Sequence, residues 1–188
     1  MVFRPYWNVP RSITVNEMLP KIRRDAGYLA RNNMEIVAGG DDSPPLAVTP
    51  ANIERLARGQ LRVRQRPGPK NSLGLVKFIF PNDQAVYLHD SPAEELFSRT
   101  RRDFSHGCVR VERPEDLAEW VLQEREGWTR ARIVQAMEQG KPQTVTLPNH
   151  IPVFLFYTTA ISGPEGSVRF AEDIYRRDAR LLRAMEAP

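Results

Sequence analysis

Apolar positions along the chain fall into short runs with two different periods. In Pro114 to Glu124, Leu117, Trp120 and Val121 repeat on one face, with proline at the start and Glu115 and Asp116 in the first turn. That pattern predicts an amphipathic helix. A second helix is predicted from Thr129 to Gln139, capped by Thr129 and closed by Gly140, and a terminal one from Asp178 to Ala187. Asn16 to Arg24 predicts a short helix bent or restarted at Pro20. Thr49-Pro50 opens another that Gly59 ends.

Strand signals are more numerous. They fall at Met34 to Val37, Leu61 to Arg64, Gln143 to Leu147 and Ser167 to Phe170. Leu75 to Phe80 and Ala85 to Leu88 are joined by Pro81-Asn82-Asp83-Gln84, which predicts a hairpin with His89 at its end. Ser91-Pro92-Ala93-Glu94 has the form of a capping box ahead of a short helix. Pro152 to Thr159 is almost continuously apolar and predicts a central strand covered on both faces. Phe3 to Pro10 is aromatic and proline-bracketed, an extended segment that buries Tyr6 or Trp7. The fold class expected is mainly β with added helices, in one domain over residues 1–188, with a small lobe inserted at about 22–59.

Composition narrows the function. Of 188 residues, 41% are apolar, enough for a core, and 16 are proline. No run of 18 apolar residues exists, so no membrane span is expected. The first 20 residues lack the apolar stretch of a signal peptide. The 27 basic residues are scattered among 23 acidic ones, so the pI near 9.5 reflects a solvated surface and no nucleic-acid partner is expected.

The single cysteine, Cys108, rules out an internal disulfide and a zinc site built on several thiolates. It sits in Ser105-His106-Gly107-Cys108-Val109-Arg110-Val111, and two of the three histidines, His89 and His106, lie within twenty residues of it. A thiol attacks as thiolate and needs a base nearby. His89 is the candidate base. Gly107 permits a tight turn whose N–H, with that of Cys108, can face a developing oxyanion. Buried inert thiol, surface histidine and packed aromatic are the bland readings of Cys108, His89 and Tyr87. A metal site from His89, His106 and Cys108 is disfavoured, because positions 106 and 108 are too close for easy tetrahedral geometry. No metal and no cofactor are expected.

These residues resemble the signature of the L,D-transpeptidases, the YkuD-fold enzymes: an upstream histidine, then Ser/Thr-His-Gly-Cys, a hydrophobic residue and Asn or Arg. Tyr6-Trp7-Asn8-Val9-Pro10, Val86-Tyr87-Leu88-His89-Asp90 and Asp173-Ile174-Tyr175 resemble stretches of the larger Gram-negative subgroup, which carries an inserted substrate-capping lobe. The resemblance implies a YkuD-type β-sandwich, a periplasmic location and peptidoglycan stem peptides as donor and acceptor. It implies that Cys108 releases D-alanine from a tetrapeptide stem, holds the rest as a thioester and passes it to a diaminopimelate amine, giving a 3→3 cross-link. His89 would be the base, Gly107 and Cys108 the oxyanion donors, and His106 a motif residue beside the nucleophile. Ser105 would orient the turn, Arg110 would hold a substrate carboxylate or shape the site, and Tyr87 would line the donor pocket. Trp7 has a smaller share as a substrate contact. Carbapenems would acylate Cys108. Strands that normally precede the Tyr6 segment have no counterpart, so the chain reads as an N-terminally truncated part of a longer protein with an open sheet edge. Two other functions share the evidence: a carboxypeptidase or endopeptidase with water as acceptor, and a wall-binding module with a vestigial site.

Overall fold

The computed structural model describes residues 1–186; Ala187, the expected end of the last helix, and Pro188 lie outside the described residues. The chain divides into two compact units, residues 1–149 and 150–188.

The first unit holds two sheets, each with its own core. The larger has five strands: β1 (Val2–Phe3), β5 (Val76–Phe78), β6 (Leu88–His89), β7 (Val109–Arg110) and β8 (Gln143–Thr144), in the order β7-β6-β5-β1-β8. All neighbours are antiparallel except β6 and β7, which run parallel. Strand alternation sends Val76 and Phe78 to one face and Lys77 to the other. On the first face Phe3, Val76 and Phe78 bury against Ala118 and Leu122 of α5 (Pro114–Leu122) and Ile133 and Met137 of α6 (Arg130–Glu138). Trp128, just ahead of α6, stacks on Phe3 with ring centroids 5.1 Å apart. The sequence places both helices correctly because proline and acids at one start, and the Thr129 side chain accepting from Arg132 N at the other, are local signals. The opposite face carries the row Val2, Lys77, His89, Arg110.

The hairpin between β5 and β6 is real, but its ladder is shorter than expected. Asn82 holds the connection with its side chain: Nδ2 donates to the carbonyls of Phe80 and Val86, and Oδ1 accepts from Gln84 N and Val86 N. An asparagine that bonds local backbone offers an alternative to ladder pairing.

The second sheet has the order β2 (Trp7–Asn8), β4 (Arg62–Gln65), β3 (Met34–Val37). Around it pack α1 (Arg11–Ile13), a π-helical turn (Thr14–Met18), α2 (Leu19–Arg24), α3 (Tyr28–Arg31) and α4 (Pro50–Ala57). Ile22, Leu29, Ile36, Leu56 and Val63 are its buried centre. Pro20 lies inside a continuous helical run over 11–24, where it removes a backbone donor, and the turn just ahead of it is π-helical rather than α-helical. Charge is buried here as well. Glu35 on β3 accepts from Arg64 Nε at 2.9 Å and from Arg66 Nε at 2.6 Å. Burial pushes its carboxyl up, but the hydrogen bonds from Arg64 and Arg66 outweigh this and hold it below the usual carboxylate range.

The second unit contains a hairpin of β9 (Ala160–Ser162) and β10 (Val168–Phe170), followed by α7 (Asp178–Glu186). Tyr157 Oη donates to Asp173 at 2.6 Å, and Thr159 Oγ1 donates to Asp178 at 2.9 Å. The run Pro152 to Thr159, expected as a central covered strand, forms no strand, and Phe154 and Phe156 are exposed and stacked on each other. An apolar run becomes a central strand only where neighbours pair with it, and among the described residues the pairing in this unit is confined to β9 and β10. No helix among the described residues is long and apolar enough to cross a membrane.

Candidate active site

The parallel pairing of β6 with β7 builds the site. Leu88 stands opposite Val109 and His89 opposite Arg110, so Cys108, one residue ahead of β7, falls beside Tyr87. Val109 N donates to the Tyr87 carbonyl at 3.1 Å and Val111 N to the His89 carbonyl at 2.8 Å, which clamps the cysteine segment along β6. Tyr87 and His89 are two residues apart and share a face. Their rings meet edge to face, 5.9 Å between centroids.

Cys108 is half-buried. The Tyr87 hydroxyl is its hydrogen-bond partner, and burial together with the Cys108 charge pushes the phenol well above its ordinary value. Tyr87 therefore stays protonated and serves the sulfur as a donor.

His89 is buried, 5% exposed. Its Nδ1 bonds the carbonyl of Asp90. A carbonyl only accepts, so Nδ1 carries the proton and, in the neutral ring, Nε2 keeps the lone pair. Burial pushes the imidazole below its usual value, the Asp90 carbonyl opposes this, and the Arg110 charge adds to it. The ring is neutral at pH 7 and free to take a proton at Nε2.

Asp90 is itself fixed. Its N donates to Val76 O at 2.9 Å, Oδ2 accepts from Leu75 N at 2.7 Å, and Oδ1 accepts from Ser91 N at 2.6 Å. Gly74 makes room for this carboxylate: its φ is +61°, and a Cβ there would stand inside the Asp90 side chain.

The other residues of the signature segment each have contacts of their own. Gly107, at φ +130°, donates its N–H to Ser105 Oγ at 3.2 Å. His106 is exposed and directs Nε2 at Glu17 of the π-helical turn, 2.8 Å away. Arg110 Nη2 donates to the Phe104 carbonyl at 3.3 Å. Trp7 lies on β2, paired with Gln65 in the other sheet and packed against the second core. The structure thus brings together Cys108, Tyr87, His89 and Arg110, and it sets His106 and Trp7 apart from them.

One further charged group reaches the cysteine's surroundings, Lys77, and a second, Asp41, acts on that lysine. Lys77 lies opposite His89 in the β5–β6 ladder, with Nζ 5.6 Å from the Tyr87 ring centroid. Burial lowers its pKa, while attraction to Asp41 and Cys108 raises it. Alternation in Val76-Lys77-Phe78 carries a signal for Lys77, since it sets the one charge on the face away from the apolar core. Asp41 has no such signal. It is brought in by its loop, where its Oδ1 accepts from Asn8 Nδ2 at 2.9 Å and Arg64 donates to the carbonyls of Gly40, Asp41 and Ser43. Among the described residues, no group of three or more His, Cys, Asp or Glu side chains is placed to hold a metal ion.

The family model for the L,D-transpeptidase catalytic domain, YkuD, matches residues 1–145. The chain belongs to this family. The matched span contains every residue of the site, from Asp41 to Arg110, and ends within the first unit. A candidate L,D-transpeptidase of Haemophilus influenzae is 35% identical over 184 residues, covering 96% of this chain and 36% of that protein. The chain therefore spans about a third of the length of this curated relative.

Proposed function

We propose that this YkuD domain is a peptidoglycan L,D-transpeptidase that works in the periplasm. The observation carrying the reading is the parallel β6–β7 pair, which sets the only thiol beside a phenol donor and on the same sheet face as a neutral imidazole. His89 Nε2 takes the thiol proton as Cys108 Sγ attacks the carbonyl of the third residue of a tetrapeptide stem, at its L-centre of diaminopimelate. The oxyanion receives the N–H of Cys108, and that of Gly107 once it leaves Ser105 Oγ. Collapse breaks the amide bond, His89 returns the proton to the departing amine of D-alanine, and a thioester remains on Cys108. The diaminopimelate side-chain amine of a second stem attacks the thioester, loses a proton to His89 and releases the thiol as a 3→3 cross-link forms. Arg110 offers a cation to a stem carboxylate beside the base. The helical segment within residues 22–59 acts as the cap over the donor. Carbapenems, as strained acyl donors, load the same sulfur.

Incubation with purified disaccharide-tetrapeptide tests this. A cross-linked dimer with released D-alanine is expected, and Cys108→Ala is expected to make none. Tripeptide alone would assign hydrolysis instead, and an unchanged substrate would leave only a wall-binding module.

A further inference from the structure

A strand lysine that faces solvent normally extends its ammonium into water and has little effect on its neighbours. Lys77 is placed differently. It is half-buried in the middle of the row Val2, Lys77, His89, Arg110, on the face that carries the cysteine. Its ammonium rests near the ring of Tyr87, and Tyr87 is the residue hydrogen-bonded to Cys108. One side chain thus spans from the base's strand partner to the nucleophile's hydrogen-bond donor.

We infer that Lys77 is a positioning residue for the nucleophile: its ammonium, held over Tyr87 and balanced by Asp41, stabilises the Cys108 thiolate. The inference rests on the proposed role of Cys108. The charge balance around the sulfur favours it. Tyr87, one residue ahead of β6, stays protonated and contributes a dipole only. His89 on β6 is neutral at pH 7. Arg110 on β7 is turned to the Phe104 carbonyl, and His106 is engaged with Glu17. Asp90, next to His89, spends its carboxylate on Leu75 N and Ser91 N, and Asp41, on the loop that Arg64 pins, is the carboxylate that attracts Lys77. Burial weakens the lysine's charge, while Asp41 and the ionised sulfur each strengthen it. Attraction between the two groups is mutual, so the ammonium must favour the ionised sulfur as much as the sulfur favours the ammonium. This also gives Asp41 a purpose. It keeps the lysine charged from a place where its own side chain is tied to Asn8.

The test is the pH profile of Cys108 alkylation by iodoacetamide in the full chain, for wild type, Lys77→Met, Lys77→Gln and Lys77→Arg. The neutral variants are expected to move the profile to higher pH, lowering the rate at pH 7 about tenfold, the effect of one pH unit, while the plateau at high pH stays unchanged. Lys77→Arg is expected to keep the wild-type midpoint. A merely structural lysine would alter the plateau or the melting temperature and leave the midpoint alone. If Lys77→Met fails to fold, Lys77→Gln carries the test. Wild-type midpoints in the folded neutral variants overturn the inference. Failure of the wild-type chain to take an acyl group from a stem peptide is a separate result, and it overturns the proposed function instead.

Discussion

His89 commits one ring nitrogen to a fixed carbonyl and so leaves the other as a base. The consequence at the scale of the residue is a pH limb. Burial and Arg110 hold the folded imidazole below its ordinary value, near 6.5 in an unstructured chain. Protonation removes the base, so acyl transfer is expected to persist below pH 6.5 and to fall only as the pH drops through the lower folded value. A pH profile of kcat/KM checks this, and an acid limb above 6.5 would contradict it. The common face of Tyr87 and His89 is legible in the sequence, because a two-residue step along a strand returns to the same side. The outward turn of His106 is not. Its partner Glu17 is 89 positions away, and no local pattern announces that pairing.

At the scale of the element, the decisive contact is again non-local. Helices α5 and α6 and the β5–β6 hairpin follow from caps, prolines and alternation, all readable over a few residues. The parallel β6–β7 pair follows from none of these. Pairing two strands that are separated by the whole Asp90–Cys108 connection is a property of the sheet, and the nineteen-residue spacing of His89 and Cys108 permits it without specifying it. The Pro152–Thr159 run fails for the opposite reason. Its local pattern is strong, but among the described residues the strands of its unit pair only with each other. Gly74 tests how the strand ends support the base. Gly74→Ala would strain a left-handed residue by about 1–2 kcal/mol and displace the Asp90 carboxylate that anchors the His89 strand end. A lower melting temperature and a several-fold loss of kcat with little change in KM are expected. Unchanged kcat in the folded variant would separate Asp90 from the base.

Across the whole molecule, the first unit stands on two cores, one beneath the sheet that carries Cys108 and one beneath the sheet that carries Arg64. The second core is tied to the site through charge, because Arg64 holds both Glu35 and the loop bearing Asp41. Removing one partner of a buried pair strands the other. Glu35→Gln is expected to cost about 3–5 kcal/mol at pH 7, measured by urea unfolding. The Glu35 carboxyl is depressed in the folded state, so its contribution is complete above the unfolded value, about 4.3, and is lost as the pH falls through the folded one. The gap between wild type and Glu35→Gln is therefore expected to close in acid, and a gap independent of pH would refute the assignment.

One measurement bears on the centre of the account: intact mass of the full chain after brief exposure to disaccharide-tetrapeptide and an acid quench. The account predicts a mass increase equal to the stem less D-alanine, borne by Cys108 and absent from Cys108→Ala. A folded wild-type chain that gains no mass, or an adduct that survives removal of the sulfur, would contradict it.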